Sequence, residues 1–145
     1  MSEATHVKAT LTHLGSLESM TVLWNPESYR VERLQRFAAP AALGAERSAL
    51  QFAAGGSERF LTRILFDTSD GDGTGARDGR DVRSYLERLE RWCDADPETA
   101  LPPRLLFTWA AFRFRGSIEE LREEVTLFDR DGTPLRAWVD LVLRR

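Results

Sequence analysis

The stretch Leu127–Arg145, LFDRDGTPLRAWVDLVLRR, decides how the chain is read. From Pro134 onward apolar and polar residues alternate, with Leu135, Ala137, Val139, Leu141 and Leu143 on one side and Arg136, Trp138 and Asp140 on the other. A period of two is the repeat of a strand with one buried face. Asp131-Gly132 separates this run from EEVTLFDR, and glycine tolerates the positive φ that a tight antiparallel turn requires. Glu124 to Leu143 therefore reads as a terminal hairpin, and cutting after Pro134 is expected to remove a core strand.

Working back from the hairpin, RLLFTWAAFRFRGSI (Arg104–Ile118) reads as one strand. Leu106, Phe112, Phe114 and Ile118 form its apolar face, and the odd face passes from Phe107 and Trp109 to Arg113 and Arg115. Before it, DVRSYLERLERWC (Asp81–Cys93) repeats Val82, Tyr85, Leu86, Leu89, Trp92 and Cys93 at steps of three and four, the signature of a helix with one apolar stripe. Asp81 or Asp78 can cap its amino end, and the prolines of DADPETALPPR end it. ERFLTRILFD (Glu58–Asp67) alternates again, with Phe60, Thr62, Ile64 and Phe66 on one face. MTVLW and YRVERLQRF, separated by Asn25-Pro26, suggest a hairpin or bent ribbon, and THVKATLTHL a weak strand near the amino end. Ala38–Ser57 has no period, and a loop that long in a compact domain calls for something to pack on. The layout is α+β, mainly antiparallel β: an antiparallel sheet system, one main helix inserted between strands, and one long irregular loop.

A length of 145 residues suits one domain with a core of its own, here 1–145, in which 1–19 is loose or a short strand and 38–57 is a long interface loop. The formal charge of −3 gives no support for nucleic-acid or anionic-membrane binding. One cysteine, Cys93, excludes an internal disulfide and fits a reducing compartment, so assembly in the cytoplasm is expected.

Enzyme signatures are absent: there is no phosphate loop, nucleophile elbow or His-Glu pair at metal spacing. No catalytic, metal or cofactor site is assigned. His6 and His13 read as surface histidines and Cys93 as a small hydrophobe on the helix stripe. Asp67, Asp70 and Asp72 imitate a calcium loop, but the closing twelfth position is Asp78 where a bidentate Glu is required. Glu119, Glu120, Glu123 and Glu124 read as a solvated strand edge. Trp109 with Arg113 and Arg115 offers the alternative function, a stand-alone module that binds single-stranded nucleic acid by stacking and charge.

LWNPESY, LQFAAGGSERFLTRILFDT, DVRSYLERLERWCDADPETALPPRLLFTW and FRGSIEELREEVTLFDRDGTPLRAWVDLVLRR, taken as an ordered set from about Met20 onward, carry a family resemblance. The chain resembles the tube-type domain of contractile injection systems, which are phage-tail-like particles. The relatives are the small tube and baseplate proteins that often carry a carboxy-terminal LysM module; with the last strand running to Arg145, no such module is expected here. The resemblance implies a tail-tube-like fold of two packed β-sheets or a β-barrel with one flanking helix, and a structural protein in a six-membered ring, either a ring of the inner tube or the adaptor between spike and tube. Spike and tube proteins would be its partners, with no membrane or nucleic acid. Leu50, Gln51, Phe52, Trp109, Arg113, Arg115 and Trp138 are the expected inter-subunit contacts, the first three on an arm formed by Ala38–Ser57.

Overall fold

A computed structural model of the chain describes residues 6–38, 51–52, 56–69 and 81–145. The strands are β1 (Thr10–His13), β2 (Ser19–Thr21), β3 (Tyr29–Leu34), β4 (Phe37–Ala38), β5 (Gln51–Phe52), β6 (Ser57–Asp67), β7 (Leu105–Trp109), β8 (Phe112–Phe128) and β9 (Pro134–Arg144). The helix among the described residues is α1 (Arg83–Arg91), between β6 and β7. Seven strands form a sheet in the order β2-β1-β7-β8-β9-β6-β3, and β4 pairs with β5 apart from it. All of these pairings are antiparallel.

The long strand β8 makes the corner of the fold. Phe112–Gly116 pair with β7, and Ser117–Phe128 pair with β9. The strand thus leaves one half-sheet (β2-β1-β7-β8) and enters a second (β8-β9-β6-β3). Gly116 stands at the change of partner, where a Cβ would lie 2.7 Å from the Arg144 carbonyl oxygen. Only a residue without a side chain lets the two backbones approach so closely.

In a flat sheet β6 and β7 would be about 14 Å apart, three strand spacings. Yet the Phe60 and Phe107 ring centroids are 4.5 Å apart. The sheet is therefore folded over, and the core lies between its halves. Phe60 also meets Phe114 at 5.5 Å, while Tyr29 stacks on Phe112 at 4.3 Å. At the other end α1 fills the opening. Val82, Leu86, Leu89 and Trp92 are buried, Tyr85 stacks on Phe66 of β6 at 5.1 Å, and Trp92 lies 6.1 Å from His13 of β1. One helix thereby touches both halves. Its start is held by the Asp81 carboxylate, which accepts the Arg83 N–H at 3.0 Å, and by the Val82 N–H donating to the Pro134 carbonyl at 3.0 Å.

The terminal hairpin forms as its sequence indicates. Leu135, Ala137, Val139, Leu141 and Leu143 are buried, Gly132 has φ +89°, and the Asp129 N–H donates to the Thr133 carbonyl at 2.8 Å.

Two expectations are corrected. Arg104–Ile118 is not one strand: a turn at Ala110–Ala111, with Ala110 at φ 51°, divides it into β7 and β8. The two-residue loop resets the parity, so Leu105 and Phe107 face the core with Phe114, and Leu106 lies opposite Arg115 on the outer side. MTVLW and YRVERLQRF do not form a hairpin, because β2 pairs with β1 and β3 with β6, in opposite halves. Of the two layouts expected, the packed sheets are present as the two half-sheets, and no pairing among the described residues joins the outer strands β2 and β3 into a barrel.

Candidate assembly surface

The outer face of the half-sheet β8-β9-β6-β3 follows from the alternation that builds the core. Because Phe60, Ile64, Phe66, Val139, Leu141 and Leu143 point inward, their neighbours in sequence point outward. Cross-strand register then sets charge against charge. Arg59 reaches Glu32 of β3 at 3.2 Å and Glu119 of β8 at 3.5 Å. Arg63 lies 3.8 Å from Asp140 and 3.7 Å from Glu124, with its guanidinium 4.6 Å over the Trp138 ring. Arg136 pairs with Asp67 at 2.8 Å, Arg122 with Glu120 at 2.6 Å and Arg30 with Glu32 at 3.1 Å.

The face carries arginines 30, 59, 63, 122, 136 and 144 against Glu32, Asp67, Glu119, Glu120, Glu124 and Asp140, so its formal charges cancel. Exposed ion pairs each contribute about 0–1 kcal/mol, so this lattice does little to hold the fold. It keeps a broad sheet surface wet and without net charge. Two open concavities mark it: a groove of 490 Å³ between Tyr29, Arg30, Arg122 and Asp140, and a pocket of 340 Å³ walled by Trp24, Pro26, Leu65 and Trp138.

The edges of the same half-sheet are open. β3 pairs only with β6, and the part of β8 beyond Gly116 pairs only with β9, among the described residues. Bulges interrupt β8 at Glu119 and Thr126 and leave Glu120–Val125 regular between them. Glu123, on the inner side of this edge, lies beneath α1. Burial, followed by hydrogen bonding to Glu90 and the Glu90 charge, raises its pKa to about 7. One of its carboxylate oxygens is buried without a hydrogen-bond partner.

The model of the family described as "contractile injection system tube protein" matches residues 4–145. The chain belongs to the contractile injection system tube protein family. No curated protein matches it significantly. Membership makes this tube protein a structural component of an injection particle, assembled with other particle proteins. No described helix is long and apolar enough to cross a membrane.

The residues that the sequence singles out are not brought together. Trp138 lies on the wet face beneath Arg63. Trp109 turns toward the core, edge-on to Tyr29 at 6.3 Å, and its indole N–H donates to the Val7 carbonyl at 3.0 Å. Arg113 and Arg115 lie opposite Thr108 and Leu106 on the other side of β7-β8, so Trp109 and the two arginines do not make one stacking platform. Gln51 and Phe52 form β5, paired to Ala38 and Phe37. Leu50, Asp70, Asp72 and Asp78 lie outside the described residues.

The remaining chemistry is structural. The Asp67 carboxylate is raised by burial but held below its ordinary pKa overall, by hydrogen bonds from Ser69 and by Arg136. His13 Nδ1 accepts the N–H groups of Gly15 and Ser16 at 3.1 and 3.0 Å, which fixes the turn after β1. Burial, then the charges of Asp94, Glu123 and Glu90, push the Cys93 thiol above its usual pKa, away from the reactive thiolate. Glu123 departs from the solvated-edge reading because the helix covers it. The cross-strand arginine lattice escaped sequence reasoning; its only signal was the arginine spacing in YRVERL and ERFLTR.

Proposed function

We propose that this tube protein closes with identical copies into a six-membered ring, as a repeating ring of the inner tube or as the adaptor between spike and tube at the baseplate. The observation that carries the reading is the half-sheet β8-β9-β6-β3, with an apolar face inward, a charge-balanced face outward and, among the described residues, two unpaired edges. Long unpaired edges are a liability in a monomer, and closure against a neighbour removes them. In such a ring the barrel is completed between subunits, and the lattice of Arg59, Arg63, Glu124 and Asp140 lines a water-filled channel. Ala38–Ser57 then reaches an adjacent subunit or ring through Leu50, Gln51 and Phe52.

The test is mass by light scattering, with negative-stain images, for the chain alone and co-expressed with the neighbouring spike and tube proteins. Annular particles with an open centre are expected, and a strict monomer in both settings would overturn the proposal. Leu50→Ala/Phe52→Ala should reduce assembly while the fold survives; intact assembly would remove the arm from the proposal.

A further inference from the structure

We infer that Glu90 of α1 and Glu123 of β8 form a proton-operated latch: one shared proton holds the last turn of the helix on the strand, and its loss parts them. The latch lies within one chain and does not depend on ring closure. On the inner side of β8, Ile118, Leu121, Glu123 and Val125 stand opposite Leu143, Leu141, Val139 and Ala137, all four of them buried. Glu123 thus takes a place where the alternation calls for an apolar residue. Between helix and strand lies an open cavity of 530 Å³, bounded by Glu90 and Cys93 on one side and Ile118, Glu119, Leu121 and Glu123 on the other.

The charges that face Glu123 are acidic. The helix brings Glu90, and Asp94 just after it lies close enough to act on Cys93 together with Glu90 and Glu123. On β8 itself Glu119 is engaged by Arg59 and Arg144, at 3.5 and 4.0 Å, and β9 contributes the neutral Val139. No basic side chain lines the cavity among the described residues. Arg88 of the last turn points the other way, to Glu18 at 3.1 Å and the Ser19 carbonyl at 3.4 Å. The negative end of the helix dipole adds to the excess of acid.

One Glu123 carboxylate oxygen is buried without a hydrogen-bond partner. Ionised, it would have no donor there, a costly state. Protonated, the carboxyl is itself a donor, and Glu90 is the side chain hydrogen-bonded to it. Burial, then the Glu90 hydrogen bond and charge, raise the Glu123 pKa to about 7. Above that pH two carboxylates face each other and repel. The helix stays tied at its start, where the Val82 N–H donates to the Pro134 carbonyl, and on the β2 side through Arg88. What opens is its last turn against β8, which uncovers Leu121 and Cys93.

The test is hydrogen exchange of the full chain, read by mass spectrometry on fragments spanning residues 88–94 and 135–141 and corrected for the intrinsic pH dependence of exchange. In the first fragment the N–H groups of Trp92, Cys93 and Asp94 donate to the carbonyls of Arg88, Glu90 and Arg91, bonds that fray when the turn parts from the strand. Protection of 88–94 should lie below that of 135–141 and fall about fivefold from pH 5 to pH 8, after discounting for solvent screening. In Glu123→Gln it should stay constant. If circular dichroism shows that variant unfolded, Glu90→Gln, at an exposed position, takes its place, with a smaller fall than wild type expected. Constant protection in the wild type, an equal fall in the folded variant, or protection of 88–94 that matches 135–141 at both pH values would overturn the latch.

Discussion

Replacing Gly116 with alanine probes the corner on which both half-sheets depend. The new Cβ would lie 2.7 Å from the Arg144 oxygen, 3.0 Å from its carbonyl carbon and 3.1 Å from Cε1 of Phe114. The phenyl ring can tilt, but the carbonyl cannot retreat. Arg144 is held in register with Ser117 on one side and Arg59 on the other, so movement away from Gly116 strains two ladders at once. Overpacking of this kind, with weakening of one backbone hydrogen bond, costs about 3 kcal/mol. Alanine restricts the unfolded chain and returns about 0.7 kcal/mol, leaving a net loss of roughly 2 kcal/mol. For a chain of this size that lowers Tm by roughly 4–8 °C.

Urea and thermal unfolding followed by circular dichroism measure the loss. Gly132→Ala is the internal control. Its Cβ would meet nothing within 4 Å, and only the positive φ of +89° opposes it, a cost of about 1 kcal/mol. The expected order is wild type, then Gly132→Ala, then Gly116→Ala. A Gly116→Ala protein within about 0.5 kcal/mol of wild type, the range of neutral surface changes, would refute the argument that the corner requires a bare backbone.

Phe60→Ala removes the ring that bridges the half-sheets and should cost about 3–5 kcal/mol, read from the urea midpoint at constant slope. Glu123 has its pKa raised to about 7 in the folded chain from an ordinary 4.5, so the native state holds a proton that the unfolded state releases, and stability should fall as pH rises between those values. Glu123→Gln should flatten that slope, its gain over wild type being larger at pH 8 than at pH 5 by about 1 kcal/mol after discounting for solvent screening; parallel pH profiles would count against the buried carboxyl. Asp67, with its pKa lowered, contributes stability that is present above its unfolded value and lost as pH falls through the folded one. Asp67→Asn should therefore weaken the protein near neutrality and differ least from wild type in acid; an equal deficit at every pH would sink the charge argument.

Local pattern made much of the fold legible. The alternation of β6 and β9 gave the buried faces correctly, and the stripe from Val82 to Trp92 gave the helix, because burial on one side imposes those periods directly. Pairing was less accessible, since nothing in YRVERL says that its partner is Ser57–Thr62, past a long aperiodic stretch. The break at Ala110–Ala111 was hidden by composition: a left-handed alanine carries none of the Gly or Asn signal of a tight turn. Gly116 advertises a close approach, but only the folded sheet shows that Arg144 is what approaches. The assembly surface was half legible. Trp138 and Asp140 fall on the polar side of β9 by alternation, whereas the pairing of Arg63 with Asp140 and Glu124 depends on three strands in register.

The length of β8 ties these points together. It runs for 17 residues, against about five or six for an ordinary strand. Its first five residues are spent on the core, with Phe112 and Phe114 against Phe60. Among the described residues the rest extends along β9 with one edge paired, a costly exposure for a chain that stays alone. Selection against that exposure would shorten the strand or cover its edge. Instead the edge carries bulges at Glu119 and Thr126 and an excess of acid between Glu119 and Glu124. These features discourage indiscriminate strand addition along the edge that, among the described residues, β8 leaves unpaired.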